Sequence, residues 1–486
     1  MTLRSAWILL LFTGLSPLFT VAQQQSSISL QEMVALSQTR SSLSKVAVTQ
    51  KEIRYYQFLT LKSDLKPQIS LYGNVPSYSK QYSSVTQPDG KIAFLPVQQN
   101  YSNLGFSLSQ EIPFSGGQLS LNSELSQFYD FQEKYKEYNG TPVFLHLAQP
   151  IFGFNTLKWR KRIEPLLYEE SKREYVQTME NIAQQTVKLY FDVLDAQVNI
   201  AIASGNLRND SINYIIESRR VDLGTTSESK LMQLQLRHLR SRQDLDRARY
   251  DYKIAKLALE GYTGFHIDTD LTLRLPEDIP DMAIPIELAI GFARQYRPEY
   301  IAFERKKLEA ERDVAQAKAE KQQINLVANF GLNRAATSLR PIYTDPKNQQ
   351  TLSVGINMPI VDWGRRRNRY KTSVALEKLT NFNNNIDSVN LVQEIVTLVS
   401  SIELLNGNIN LGKMTDSIAE RSFEMINSQF QTGKMTVVDL NLAQTERDNT
   451  RRNYIDTLRE YWDTYFRIRR LTFYDFEHMK RLFETN

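Results

Sequence analysis

The sequence predicts a mainly α-helical chain with a smaller membrane-type β component, built as two pseudo-repeats. Three observations predict it. Long segments nearly free of proline and glycine keep a seven-residue period. Shorter segments alternate apolar and polar residues on a period of two. Both kinds of segment recur at a constant separation within 486 residues, a length beyond one ordinary globular core.

The chain begins "MTLRSAWILLLFTGLSPLFTVAQQQ", with one Arg, a short apolar run and the small residues Thr20–Val21–Ala22. That is the pattern of a signal peptide, expected over 1–22. Its apolar run is too short and too interrupted for a membrane anchor, and no later segment approaches 18 consecutive apolar residues. A membrane crossing by the mature chain is therefore expected from strands. Hydrophobic residues at 41% and charged residues at 23% exclude disorder by composition, and a net charge of +5 spread among acidic residues gives no nucleic-acid footprint. Cysteine is absent, which excludes disulfides, thiolate metal sites and a lipidated amino-terminal Cys. His146, His238, His266 and His478 are scattered, with no HxxxH or HExxH pair, so no metal is expected.

Two corners define the repeat. "AQPIFGFNTLKWRK" at 148–161 and "NMPIVDWGRRR" at 357–367 both place Pro–Ile after an alternating run, then an aromatic, a Gly and a basic stretch. Aligning Pro150 with Pro359 gives an offset of 209, which carries Leu189 onto Leu398, Asn199 onto Asn408, Gly224 onto Gly433, Leu231 onto Leu440, Gln235 onto Gln444 and Tyr252 onto Tyr461. The absence of drift marks two halves of one architecture. The expected organisation is a first repeat at 23–265, with a helix, strands about 67–150 and a helical hairpin at 156–262. A second repeat at 266–475 has a helix, strands about 323–359 and a hairpin at 365–475, followed by a tail at 476–486.

In the helical segments, Tyr168, Tyr175, Ile182, Leu189 and Ala196 recur every seven residues, as do Leu231, His238, Leu245, Tyr252 and Leu259. Leu234, Ser241, Ala248 and Ala255 lie between the second set. A sustained period of seven means left-handed coiled-coil packing. Gly224 and Gly433 interrupt the pattern and are followed at plus three by Ser227 and Thr436, so each Gly is expected to end one helix and each hydroxyl to cap the next. These are hairpin tips, with arms expected near 50 residues.

The period-two segments include Leu104, Phe106 and Leu108; Leu119 and Leu121; Val143, Leu145 and Leu147; Ile324, Leu326, Ala328 and Phe330; and Leu352, Val354, Ile356 and Met358. With the run opening at Ile69, they make six candidate strands, four before residue 152 and two after 322. Aromatics gather around them, as in the girdles of outer-membrane barrels. The stretches 79–100 and 333–349 read as long polar loops, and "PFSGG" at 113–117 as a short turn. Six strands cannot close a useful barrel alone, so several chains are expected to share one.

With these motifs in hand, the chain resembles the TolC family of outer-membrane efflux proteins, of a kind found in Bacteroidetes. The resemblance runs from about residue 28 to 475. It is carried by "QPIFGFNTLKWRK", "PIVDWGRRRNR", "VKLYFDVLDAQVNIAIASGNL", "YRPEY" at 296–300, and the two tips with their "LMQLQ" and "LNLAQ" continuations. It implies a homotrimer whose shared β-barrel crosses the outer membrane of a Gram-negative bacterium and whose coiled coils form a periplasmic tunnel ending in an iris. Pro150 and Pro359 would then be barrel-to-tunnel corners. The family contributes four strands per chain, against the six counted here, and both numbers stay open. The resemblance also implies that the tips, here Leu223, Gly224, Thr225, Thr432, Gly433 and Lys434, meet a periplasmic adaptor, and through it an inner-membrane RND or ABC pump. At the iris positions this sequence has Phe430, Met435, Asp439 and Leu442, of which only Asp439 matches the family pattern. Its counterpart in the first repeat is Lys230, so Lys230 and Asp439 are candidate pairing partners, against the alternative that Lys230 is a solvated charge.

The implied function is a passive exit duct of a tripartite efflux or type I secretion system, without cofactor. The alternative is a periplasmic coiled-coil adaptor, disfavoured by two hairpins with strands between them. An enzyme is not expected: there is no GxxxxGK[ST], no GxSxG and no Cys nucleophile.

Overall fold

The computed structural model describes residues 27–266, 272–280, 282–320, 323–357 and 360–483. The expected signal segment and Pro359 lie outside the described residues. In chain order the elements are β1 (Ser27–Ile28), α1 (Leu30–Arg40), α2 (Ser42–Asp64), β2 (Gln68–Asn74), β3 (Tyr78–Thr86), β4 (Ile92–Glu111), β5 (Gln118–Asp130), β6 (Tyr135–Ile151), α3 (Thr156–Asp222) and α4 (Glu228–Thr263). There follow β7 (Thr272–Leu273), α5 (Ile286–Tyr296), α6 (Pro298–Ala319), β8 (Gln323–Ala336), α7 (Arg340–Thr344), β9 (Lys347–Asn357), α8 (Arg365–Gln431), α9 (Val437–Thr472), β10 (Tyr474–Asp475) and β11 (Lys480–Arg481).

The offset of 209 holds at every boundary of the long helices. α3 and α8 are both 67 residues, α4 and α9 are both 36, and the starts of each pair are 209 apart. The arms are thus unequal rather than near 50 residues each: about 100 Å and about 54 Å at 1.5 Å per residue. Upstream, α1 and α5 are both 11 residues, but their starts, 30 and 286, are 256 apart. The first repeat therefore holds 47 more residues ahead of its long hairpin, and it supplies β2–β6 where the second supplies β8 and β9.

The chain divides into two compact units, each drawing on both repeats. One comprises residues up to Ser41, Gln185–Ile279 and Leu411–Arg459. Its upper core is built from Leu30, Met33 and Val34 of α1, Val187, Tyr190, Phe191 and Leu194 of α3, and Leu259 of α4. The Thr186 hydroxyl donates to Ser37 Oγ at 2.8 Å. The Tyr190 hydroxyl lies 2.9 Å from the Ile28 carbonyl and 2.6 Å from that of Arg274, which pins the β1–β7 ladder to α3. On α4 the expected seam is inside: Leu234, Ser241, Leu245, Ala248 and Leu259 are buried. Where α3 meets α9, Arg459 sits 2.9 Å from Asp192 and also contacts Asp195. Burial pushes the Asp195 carboxyl up to about 6; Arg459 opposes this, while Asp456 and Asp192 add to it.

The other unit comprises Ser42–Gln184, Pro280–Asn410 and residues from Glu460 onward. Its helices are joined by aromatic stacking and paired ions. Phe58 stacks on Tyr168 at 5.2 Å. Arg305 grips Glu170 in a two-bond fork at 2.5 and 2.9 Å, and Arg469 grips Glu180 at 3.1 and 3.0 Å. Arg469 also reaches Asp475 at 3.0 Å, whose other oxygen accepts from the Tyr465 hydroxyl at 2.8 Å. The tail expected after 475 is thereby tied down: β10 and β11 form a small ladder, and Phe473 and Phe483 are buried beside Tyr296.

All the longer strands join one antiparallel sheet in the order β2–β4–β5–β6–β8–β9, with β3 also on β4. β4 is 20 residues long; its second half pairs with β2 and its first half with β3, so the sheet is six positions wide. Two expectations are corrected here. Residues 79–100 are not a loop but the hairpin of β3 and β4, with nine paired positions from Tyr78↔Asn100 to Thr86↔Ile92. "QPDG" is its turn, closed by Gln87 N–H to Lys91 O at 2.7 Å with Gly90 at φ +80°. β3 is rich in Ser, and the β4 arm opens on the unbroken apolar run Ile92–Leu95 followed by Pro96, so neither arm shows the alternation that flags a strand. Residues 333–349 likewise are not a loop: β8 runs on to Ala336 and α7 seats Ile342 fully buried over Gly140.

Both ionic networks are open to test. Between pH 4 and pH 7 an acid whose folded pKa is raised binds its proton more tightly in the fold, so stability falls as pH rises through that window. The Asp195→Asn variant should flatten that dependence, by an amount on the order of 1–3 kcal/mol, in thermal unfolding followed across pH. Glu180→Ala removes one of the two acids on the buried Arg469 guanidinium and leaves it Asp475; it should cost about 3 kcal/mol, read as a lowered unfolding temperature, and an unchanged midpoint would refute the role given to this pair.

Candidate functional site

The sheet has two chemically opposite faces, and the register shows this row by row. Ile69, Leu108, Leu121, Leu145 and Phe330 lie side by side across β2, β4, β5, β6 and β8. Leu119, Leu147, Ala328 and Leu352 form the next row, and Leu104, Phe106, Val354 and Ile356 share the face. The large members of these rows other than half-buried Leu147 are exposed, Ile69 at 79% and Leu352 at 73%. A contiguous exposed apolar face of this extent has no place in water.

The opposite face is mostly polar. Gln68, Ser109, Ser120, His146, Asn329 and Thr351 run across all six positions in one row, and His146 Nδ1 is 2.6 Å from Asn329 Oδ1. Phe144 is an aromatic exception on this face, its ring stacked on that of His146. A second row holds Tyr72, Gly105, Glu124 and Thr141. The Tyr72 ring lies over Gly105, where a Cβ would stand 2.6 Å from Cζ, and its hydroxyl donates to Glu124 Oε2 at 3.0 Å. Asn103 Nδ2 reaches the other oxygen at 3.4 Å. Beside Glu124 the ladder slips at a bulge spanning Gly140–Val143, where Pro142 has no N–H to give. Asn333 Nδ2 fills the break, lying within 2.8–3.3 Å of Asn139 Oδ1, Gly140 O and Thr141 Oγ1.

The edges of the sheet are β2 with β3 on one side and β9 on the other. Neither has a partner among the described residues.

The two tips use one closure. At the first, Thr225 N–H bonds back to Arg220 O and Gly224 N–H to Val221 O; at the second, Lys434 N–H bonds to Gln429 O and Gly433 N–H to Phe430 O, all at 2.8–2.9 Å. The glycines sit at φ +68° and +81°, where a side chain is strained. The caps then differ. Ser227 occupies the N-cap of α4 without a side-chain bond. Thr436 makes a full reciprocal box: its Oγ1 accepts from Asp439 N–H at 3.2 Å, and Asp439 Oδ2 accepts from Thr436 N–H and hydroxyl at 3.0 and 2.6 Å. Those bonds hold the Asp439 carboxyl below the usual range.

The structure brings the tips together. Arg220 Nη2 donates to Gln431 O at 2.8 Å, so the first hairpin satisfies a carbonyl at the end of α8. Leu223, Gly224, Thr225, Thr432, Gly433 and Lys434 are all exposed. Lys230 is exposed and has no ion pair among the described residues. Phe430 is 3% exposed and packs with Leu234, Phe423, Val437, Leu440 and Ala443 in the core of the tip. Its apolar period places it there, in register with Phe423 one heptad earlier.

Behind the tips the α3 seam turns polar. Asn206, Asp210, Asn213, Glu217 and Arg220 occupy successive seam positions spaced four and three. Asp210 pairs with Arg237 at 2.7 Å and accepts from Ser241; Asn206 meets Asp448 at 2.8 Å and Arg447 at 2.5 Å; Asn213 meets Asn427 at 3.3 Å. Buried Glu217 is held by Arg220 at 3.1 Å and the Thr226 hydroxyl at 2.6 Å. Glu217 and Arg220 are missed by pattern reading, which assigns charged helix positions to solvent. The signal available was their four-three spacing.

At the first corner, Asn155 Oδ1 accepts from Lys158 N–H at 2.8 Å and its amide donates to Pro113 O at 2.8 Å, so the start of α3 is laced to the 113–117 turn. Pro150 stands in β6 opposite Asn325. At the second, Asp362 accepts from Gly364 and Arg366 N–H, and Trp363 is 94% exposed. Among the described residues, Asp475, Glu477 and His478 alone gather three potential metal ligands. Both Asp475 oxygens are already engaged by Arg469 and Tyr465, which makes the group a hairpin lock.

A family model described as "Outer membrane efflux protein" matches residues 34–265 and 294–472. No curated protein sequence matches the chain. The CmeC outer membrane channel of Campylobacter jejuni superposes with a TM-score of 0.65 at 15% identity, covering 93% of this chain and 87% of that one. VceC of Vibrio cholerae gives 0.62 at 14%, covering 91% and 95%, and the MtrE outer membrane channel of Neisseria gonorrhoeae 0.63 at 14%, covering 91% and 88%. At such identities the likeness is one of fold, and the fold is TolC-like, long coiled-coil hairpins joined to strands in two repeats. With the two matched stretches falling on those repeats, the chain belongs to the outer membrane efflux protein family.

Proposed function

We propose that this chain is the exit duct of a tripartite efflux or type I secretion system, a homotrimer that passively conducts small molecules or polypeptide across the outer membrane. The observation that carries the reading is the two-faced sheet with unpartnered edges. Its apolar face suits lipid, its polar face suits a water-filled lumen, and its edges call for neighbouring copies, because an open edge in hydrocarbon leaves backbone groups unsatisfied. Three sheets of six positions would close one barrel of about eighteen strands, wide enough for an aqueous channel. Exposed aromatics at the corners, Phe152 and Trp363, suit the membrane–water boundary.

The helices support the trimer independently. α8 exposes Leu404, Leu411, Ile418 and Met425 at seven-residue intervals, with Met414 between them, and α4 exposes Met232, Leu236 and Leu239. α8 also contains a stretch long and apolar enough to span a membrane by composition. Its heptad spacing instead suits a seam against another helix. The tips, closed alike and exposed together, are the surface for a periplasmic adaptor, which links the duct to an RND or ABC pump. In the trimer Lys230 pairs with Asp439 near the mouth and helps to hold it shut. Asp439, kept ionised by its cap, is suited to that role.

Purified protein in a planar bilayer should give discrete single-channel steps, small and prone to closure. A folded sample silent both as the native chain and with Lys230→Glu, which sets like charges against each other at the mouth, would sink the duct reading. Lys230→Glu alone should raise leak conductance several-fold; unchanged leak rejects the pairing and leaves the duct intact.

A further inference from the structure

On the polar face, a carboxylate stands in the middle of the sheet without a cation beside it. Glu124 is on β5, the third of six positions, and no Lys, Arg or His pairs with it among the described residues. Its partners are neutral, the Tyr72 hydroxyl at 3.0 Å and the Asn103 amide at 3.4 Å. The nearest cation at this level on the same face is Lys347, opposite Asn333 on β9. Lys347 lies three strands away, roughly 14 Å at the usual interstrand spacing, and its ammonium is already 3.1 Å from Asp345. That separation exceeds a Debye length at physiological salt, so Lys347 does little to offset the charge.

The position is also built. Gly105 has no side chain, which lets Tyr72 lie flat and reach across to Glu124. The Pro142 bulge falls at the same row, and bulges re-aim the side chains beside them. A carboxylate with no cationic partner is tolerated only where water reaches it. Its two donors fix where the charge points without neutralising it.

We propose that Glu124, oriented by Tyr72 and Asn103, is a selectivity residue of the barrel lumen: one fixed negative charge per chain that concentrates hydrated cations and cationic organic molecules at this level and repels anions. The proposal rests on the duct reading, under which the polar face lines the lumen and three copies of Glu124 ring it.

The chain has no cysteine, so a single introduced thiol reports cleanly. Asn122→Cys places one two residues from Glu124 on the same face, roughly 7 Å away; Leu121→Cys places one on the apolar face as a control. Intact cells are treated with the cationic reagent 2-(trimethylammonio)ethyl methanethiosulfonate and, separately, with the anionic 2-sulfonatoethyl methanethiosulfonate. The ratio of their rates cancels any change in access. One unit charge at that distance in water changes the ratio by about sevenfold, so adding Glu124→Gln to the Asn122→Cys variant should lower its cation preference by about that factor. With Glu124 intact, raising salt from about 20 mM to about 500 mM should erase most of the preference. Gln keeps the size of the side chain; its oxygen can still accept from Asn103, and its amide N–H can donate to the Tyr72 hydroxyl oxygen in place of the bond that hydroxyl gave. If the Gln variant nevertheless fails to assemble, the salt series alone decides. A ratio unmoved by the substitution, or by salt, overturns the role of Glu124. A thiol from Asn122→Cys no more reactive than the one from Leu121→Cys overturns the lumen assignment on which that role rests.

Discussion

The constraint on which the rest of this structure depends is that hydrocarbon offers backbone amides no partner. A sheet six positions wide satisfies its interior strands and leaves β2, β3 and β9 with one open side each. The apolar row from Ile69 to Phe330 makes the sheet unsuited to water, and the open edges make it unsuited to lipid as a single copy. On the proposed reading both problems have one solution, closure with other copies.

Within the helical units the energetics are divided by depth. Near α1 the seam is apolar, with Tyr190, Phe191 and Leu194 excluded from solvent. Toward the tips it becomes polar and ionic, from Asn206 to Arg220. A seam of buried ion pairs adds less net stability than an apolar one of equal volume, but it penalises any register that leaves a charge alone. The Glu217–Arg220–Thr226 group also crosses between hairpins, since Arg220 satisfies the carbonyl of Gln431. The two tips are therefore one structural object, held by a first-repeat Arg for which the second repeat has Gln429.

What the sequence makes legible is what local physics alone decides. Gly224 and Gly433 announce the tips because few other residues accept φ near +70° to +80°. The period of two finds β5, β6, β8 and β9 because one face of each carries a run of apolar residues. The period of seven finds the α4 seam for the same reason. Legibility ends where a decision belongs to the partner strand or helix. The β3–β4 hairpin sets a polar, Ser-rich arm against one that opens on an unbroken apolar run, and only their pairing makes them strands. Ser227 and Thr436 look alike as caps, yet only Thr436 has an acid three residues on that completes the box: Asp439, where Ser227 is followed by Lys230. Phe430 reads as an iris residue by position in the family pattern, while its own burial places it in the core. Glu124 is one acid among many until the register sets Gly105 and Tyr72 beside it.

The equality of the long helices has a consequence for how such a chain can change. α3 matches α8 at 67 residues and α4 matches α9 at 36. Deleting one residue from any of them turns everything beyond it by about 100° and shortens it by 1.5 Å. The seam would lose its phase and the two tips would no longer meet at Arg220. Substitutions can accumulate in these arms, but insertions and deletions cannot, unless they arrive in whole heptads in both repeats at once. The strand region has no such bookkeeping, and it is there that the first repeat carries its 47 additional residues. Inherited length variation in this architecture should be found in the strand region, while the helical arms keep time with each other.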